Sequence, residues 1–369
     1  MTHIPLTKPV VDAHAKQLVL AVLESGHLTE GKVTAALEER VAAFAGATDA
    51  VAMTSCTAGL EITLQALDIG PGDEVIVPDY TYPATATAVA RVGATPVIVD
   101  VHPGTMHMHI RQAEAAITPR TKALMPVSLF GNPLDLDPWL TLSRQRGLAL
   151  VEDAACSLGA EIRGQRTGSL ADASVFSFHP RKSITTGEGG MVVTNNAALA
   201  DRIRSLKHFG LDKAADRESA VFARMGTNSK LSDILAALGL AQMERVEEFL
   251  ARRRELAARY DALLADRPGI DFPEVPPGGR HAYQTYCIFV SDRDRILGSL
   301  RSQGIEVQIG TYSLHDQPAF RDSSRCRLAG DFAGSRLAAA RCLSLPLFHD
   351  MTPGEQQTVV SALLAEAGM

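Results

Sequence analysis

A lysine stands between two apolar segments in ASVFSFHPRKSITTGEGGMVVTN, residues 173–195. Val175, Phe176 and Phe178 read as one buried strand and Met191–Thr194 as a second, with Gly187, Gly189 and Gly190 closing the loop that carries Lys182. Taking an amine out of water favours its neutral form. The setting therefore predicts a lowered pKa and a nucleophile able to form an imine with a carbonyl. Taken alone, the segment is equally compatible with a solvated lysine on a hairpin loop. Other polar residues follow predicted strands, where ligands of open α/β sheets bind. Asp153 ends one such strand, a place where an aspartate more commonly caps a helix. The small residues Ser55, Cys56, Thr57, Ala58 and Gly59 open a helix whose free N–H groups could hold an anion, as those of any capped helix could. Tyr80 and Tyr82 put aromatic rings at a third strand end, ordinarily packing residues.

The elements that must position these groups are legible from residue 50 onward. Short Val- and Ile-rich strands are predicted at Ala50–Met53, Glu74–Pro78, Thr95–Val99, Lys122–Val127 and Leu148–Glu152, with helices between them. That alternation predicts an α/β fold with a mostly parallel sheet covered on both faces. The first strand is followed by no GxGxxG, so a dinucleotide-binding domain has little support. Residues 230–265 carry helical apolar spacing, and PEVPPGGRH (273–281) reads as a loop or linker. A smaller α+β region follows. The expected division is a large domain over 1–245 and a smaller C-terminal α+β domain over 246–369, in keeping with the length of 369 residues.

Bulk composition narrows the function classes. With 46% apolar residues the chain can build a large core, and a net charge of −6 leaves no basic footprint for nucleic acid. No apolar run reaches the ~20 residues that span a bilayer, and the first residues lack a signal-peptide layout. Five scattered cysteines without a CxxC pair argue for a reducing, cytoplasmic compartment. His102, His107 and His109 have no carboxylate or cysteine to complete a ligand set, so no metal is expected.

An amine, a carboxylate, an anion-binding helix start and an aromatic face together match the needs of pyridoxal phosphate. The lysine would form the imine, and the carboxylate would keep the pyridine nitrogen protonated. The helix start would hold the phosphate while an aromatic ring stacks on the pyridine.

The ordered blocks GHLTEGKVTAALEERVAAFAG, GPGDEVIVPDYTYPATATAV, VEDAACSLGA, FSFHPRKSITTGEGG, GTNSKLSDILAALG and YSLHDQPAF cover nearly the whole chain. They resemble the DegT/StrS group of PLP-dependent sugar aminotransferases, which have the fold-type I aminotransferase architecture. The resemblance implies that Lys182 bonds the cofactor and Asp153 pairs with its ring nitrogen. It implies that Ser177, Cys56 and Thr57 bind the phosphate and that Tyr82 stacks on the ring. Asn228 would reach the phosphate of the neighbouring subunit, making the site a property of a homodimer. His315 matches a histidine near the sugar site. The loops over 26–31, 208–212 and 312–315, with Thr29 and Tyr312, would shape the acceptor pocket. Two departures stand out: Cys56 replaces a common glycine, and Cys156 stands where relatives carry Gln or His.

The expected reaction moves an amino group from an amino acid, glutamate or glutamine, to a keto sugar, nucleotide-linked, in two half-reactions. Competing readings are transamination of a cyclitol ketone, deoxygenation of a keto sugar, and a non-catalytic PLP-binding regulatory protein. Deoxygenating relatives carry histidine at the lysine position, which here is Lys182.

Overall fold

The computed structural model describes residues 3–212 and 218–368. Its centre is an eight-stranded sheet. In chain order the strands are β1 (Asp49–Met53), β2 (Glu74–Pro78), β3 (Thr95–Val99), β4 (Thr121–Leu124), β5 (Ala149–Asp153), β6 (Ala173–Ser177), β7 (Gly190–Thr194) and β8 (Arg327–Leu328). Across the sheet they run β1-β7-β6-β5-β4-β2-β3-β8. Only β7 is antiparallel to its neighbours, β1 and β6; the other neighbouring pairs are parallel.

Alternation within the strands explains the layers. Val75 and Val77 join Val51, Val175 and Val192 in a core beneath the helices Cys56–Ala66 and Ala197–Lys207. Ile76 faces the other way, packing with Val97, Leu124, Leu150 and Trp139. Helices on both faces are why these strands read as continuous apolar runs.

A second sheet, entirely antiparallel, orders Ile270–Asp271, Tyr286–Val290, Cys342–Leu345 and Gln308–Ile309. Its core includes Leu256, Tyr260, Ile288, Leu343 and Leu363. Several segments cross the expected boundary at residue 245. Ile4 bridges to Ile305 and is buried in the second core, while β8 and the pairing of Tyr312–Ser313 with Tyr80–Thr81 return C-terminal chain to the large sheet. The helical run expected over 230–265 is two helices, Asp233–Glu244 and Val246–Leu264, broken at Arg245. The break re-aims the second helix so that Phe249 and Leu250 pack in one core and Leu256 and Tyr260 in the other. No described helix is long and apolar enough to cross a membrane.

Candidate active site

Because β1, β2, β5 and β6 point the same way, their carboxyl ends share one edge of the sheet. The antiparallel return of β7 leaves the loop over 178–189 at that edge, and Lys182 lies on it. A cavity of about 550 Å³ opens there. Lys182 and Asp153 line it together with Cys156 and Ser177, and the helix start at Cys56 and Thr57 and the ring of Tyr82 complete its wall. Eight of the eleven residues read from the sequence as site residues thus meet or border one space, if Tyr312, whose ring centroid is 6.3 Å from that of Tyr82, is counted with these seven.

Asp153 is buried at the end of β5. Thr85 donates its hydroxyl to Oδ2 at 2.7 Å, and the Ala155 N–H donates to Oδ1 at 3.2 Å. Burial nevertheless holds the carboxyl above its ordinary pKa, although Thr85, Ala155 and the Lys182 amine all favour the charged form. Its neighbour Glu152 points to the opposite face, where Ser128 and Ser174 donate to it at 2.5 and 2.8 Å.

Lys182 Nζ lies 3.0 Å from Cys156 Sγ. Burial alone would lower its pKa, as the sequence led one to expect. The surrounding Cys156 and Cys56 thiols and the Asp153 carboxylate outweigh burial and hold the amine above its ordinary value. The expectation of a lowered pKa is therefore corrected: the free amine is a stabilised ammonium, which gains its neutral form by handing off a proton. A group of this kind can shuttle a proton as well as attack a carbonyl.

The helix Cys56–Ala66 brings the free N–H groups of its first turn to the cavity wall. Ser55 caps it, accepting the Ala58 N–H at 3.1 Å, and its first turn faces the cavity. Strand β7 passes so close that a Cβ on Gly190 would lie 2.5 Å from the Cys56 nitrogen, so glycine is required there. Cys56 itself tucks its thiol against the Val175 carbonyl at 3.5 Å. The turn thus accommodates a side chain in place of the usual glycine by turning it into the core.

Three residues from the sequence reading lie apart from this chain's cavity lining. Thr29 and Asn228 are exposed and border other faces. His315 is buried, with Nδ1 2.6 Å from Asp79 Oδ2 and its ring stacked 4.5 Å from Phe332. The loop over 208–212, expected to shape the acceptor pocket, is described, whereas residues 213–217 beyond it lie outside the described residues. Sequence reading missed Thr85, the donor to Asp153. It also missed Arg181, Gln284 and Thr311, which bring cavity-lining groups from the lysine loop and the C-terminal half. A helix-face threonine and scattered glutamines carry no motif; the one available signal was Arg181 directly preceding Lys182. Among the described residues no three His, Cys, Asp or Glu side chains converge as a metal site. His107 is buried, and burial pulls its pKa down to about 4.

The residues fit pyridoxal phosphate: an amine and a buried carboxylate line one cavity, with free helix N–H groups at one side and an aromatic ring, 66% exposed, at another. Comparison with known proteins agrees. The chain is 37% identical over 376 residues to the spore coat polysaccharide biosynthesis protein SpsC of Bacillus subtilis, covering 98% of this chain and 96% of that protein. It is 36% identical over 371 residues to GDP-perosamine synthase of Caulobacter vibrioides, covering 98% of each. Among solved structures, DesV of S. venezuelae superposes with a TM-score of 0.93 at 32% identity over 100% of both chains. The aminotransferase TlmJ of Streptoalloteichus hindustanus gives 0.93 at 31%, over 100% of this chain and 99% of that one. The family model described as the DegT/DnrJ/EryC1/StrS aminotransferase family matches residues 9–364, and the chain belongs to that family of pyridoxal phosphate-dependent enzymes.

Proposed function

We propose that this enzyme transfers an amino group from an amino acid, glutamate or glutamine, to a keto sugar, nucleotide-linked, in two half-reactions. The observation that carries the reading is one cavity holding Lys182 and Asp153, with the capped helix start at Cys56 and Thr57 on its wall. Relatives named for polysaccharide biosynthesis and for GDP-perosamine synthesis support the sugar as acceptor.

When bound, pyridoxal phosphate supplies an aldehyde carbon that takes up the amine and a ring that accepts electrons from the donor's α-carbon. The residues of this chain do the rest. Cys56, Thr57 and Ser177 receive the phosphate on N–H and hydroxyl donors. Asp153, oriented by Thr85 and the Ala155 N–H, holds a proton at the ring nitrogen. Tyr82, on the cavity wall, would stack on the ring. Lys182 would take the proton from the donor's α-carbon and return it at the cofactor's aldehyde carbon, base then acid, and run the sequence backwards with the acceptor.

The working unit in this reading is a homodimer. Asn228 is exposed on its own chain, in a segment that also exposes Phe209, Val221, Phe222 and Met225, the last at 98%. A second copy covering this apolar segment would receive Asn228 at its phosphate end. His315, Tyr312 and Thr29 then border the acceptor side. The five free cysteines support a reducing, cytoplasmic setting. The test is spectral. Purified protein should absorb in the band of lysine-bound cofactor, and glutamate or glutamine alone should convert it to the amine form. A yellow protein whose spectrum ignores every amino donor overturns the reading.

A further inference from the structure

The contact between Lys182 and Cys156 has chemistry of its own. Of the five thiols, Cys156 both lines the cavity and touches an amine, with Nζ 3.0 Å from Sγ. The others differ. Cys56 is buried against a carbonyl, Cys287 and Cys342 lie inside the protein, and Cys326 is half-buried away from the cavity. A sulfur that lines the cavity is within reach of oxidants, and an amine stands 3.0 Å from it. The cavity admits small solutes to both atoms. Gln and His, which the resemblance places at this position in relatives, have no sulfur to react.

We propose that Lys182 and Cys156 form a reversible oxidation site, in which a peroxide joins Sγ to Nζ whenever the lysine is not engaged with the cofactor. The steps balance. The thiol attacks hydrogen peroxide, the O–O bond breaks, and sulfenic acid and one water form. Nζ then displaces hydroxide from sulfur, which leaves as a second water with a proton from the amine. The sum is thiol plus amine plus hydrogen peroxide giving an S–N bond and two waters. Two equivalents of a reducing thiol reverse it, restoring both side chains and forming their own disulfide. The result ties up the amine the reaction needs and spares Cys156 from irreversible oxidation.

The proposal rests on the family assignment of Lys182 but not on any substrate, so its test reads covalent structure. Full-length protein, loaded with cofactor or freed of it with hydroxylamine, is treated with hydrogen peroxide and digested for mass spectrometry. The cofactor-free protein should yield peptides containing residues 156 and 182 joined with the loss of two hydrogens. The loaded protein should yield about tenfold less of that species. Dithiothreitol should remove the link and restore cofactor uptake, read by absorbance. C56S should still form the link, C156S should not, and K182A should carry sulfinic acid at Cys156 instead. A disulfide between Cys56 and Cys156, or sulfinic acid at Cys156 of the unmutated chain with no link to Lys182, overturns it.

Discussion

Lys182 and Lys207 both hold their amines against protein groups, and Lys182 lines the cavity. Lys207 ends the helix Ala197–Lys207 and is 3% exposed. Its amine donates to Glu38 at 3.3 Å and to the Ala52 carbonyl at 3.0 Å and is ion-paired with Glu30 at 2.9 Å, so protein groups enclose it. Lys182 contacts one thiol and otherwise faces open space. Burial does not make a reactive amine. An unsaturated partner set beside a cavity does.

The aspartates that follow parallel strands repeat the lesson. Asp79, after β2, accepts from Ser335 and from the His315 N–H at 2.7 Å. Asp100, after β3, accepts N–H groups of Val101, Gly334 and Ser335 at 2.8 to 2.9 Å. Both pin the helix Ala333–Arg341 to the large sheet. Asp153 occupies the corresponding place on β5 but keeps one side toward the cavity.

The contrast can be broken most severely at Lys182. Lys182→Ala should lower turnover by about 10²–10⁴-fold, the usual range for a lost acid–base group, measured as steady-state kcat on cofactor-loaded protein. Lys207→Met should act on the fold instead. Leaving Glu30 and Glu38 unpaired should cost roughly 3 kcal/mol in urea unfolding, while kcat per folded protomer falls far less than in Lys182→Ala. A Lys207 variant that loses activity without losing stability would erase the distinction drawn between the two amines.

Asp153→Asn sharpens it, because activity and stability should move in opposite directions. Turnover should drop by about a hundredfold as the fixed charge is lost. The stability effect follows from the sign of the shift. A carboxyl whose folded pKa lies above its unfolded value binds its proton more tightly when folded. Its burial then costs nothing well below the unfolded value near 4, and the cost develops as pH rises through the folded pKa. Cofactor-free Asp153→Asn should thus gain on the order of 1 kcal/mol over the parent at neutral pH, with the gain vanishing in acid. Thermal melts from acid to neutral pH would show it.

The smallest expected effect is at Thr85. Thr85→Val removes the hydroxyl that donates to Asp153 and should cost about 1 kcal/mol of transition-state stabilisation. It should also move the acid limb of the pH–rate profile upward, since the carboxyl loses a group favouring its charged form. An unmoved limb would mean that Asp153 does not set it.

Much of this arrangement was visible before any coordinates. The strands Glu74–Pro78 and Thr95–Val99 were placed to the residue, because five-residue apolar runs between turn residues have few other uses. The C-terminal helix Pro353–Glu366 starts at the Thr352–Glu355 capping box. Two-residue strands such as Arg327–Leu328 and Tyr312–Ser313 left no period to read, and their partners, Ile98 and Tyr80, are more than 200 residues away. The break at Arg245 was hidden because helical spacing continues through it.

Residue types and their order along the chain determined which groups exist: one lysine between apolar strands, aspartates at the ends of three parallel strands, one small-residue helix start. Which of the similar groups stayed open to the cavity was decided in three dimensions. Hydrogen-bond saturation depends on partners from distant segments, so Asp79, Asp100 and Lys207 became pins while Asp153 and Lys182 stayed open. The pKa of Lys182 followed the same rule: burial is a local expectation, but the thiols and carboxylate that reverse it come from the ends of two other strands, β1 and β5.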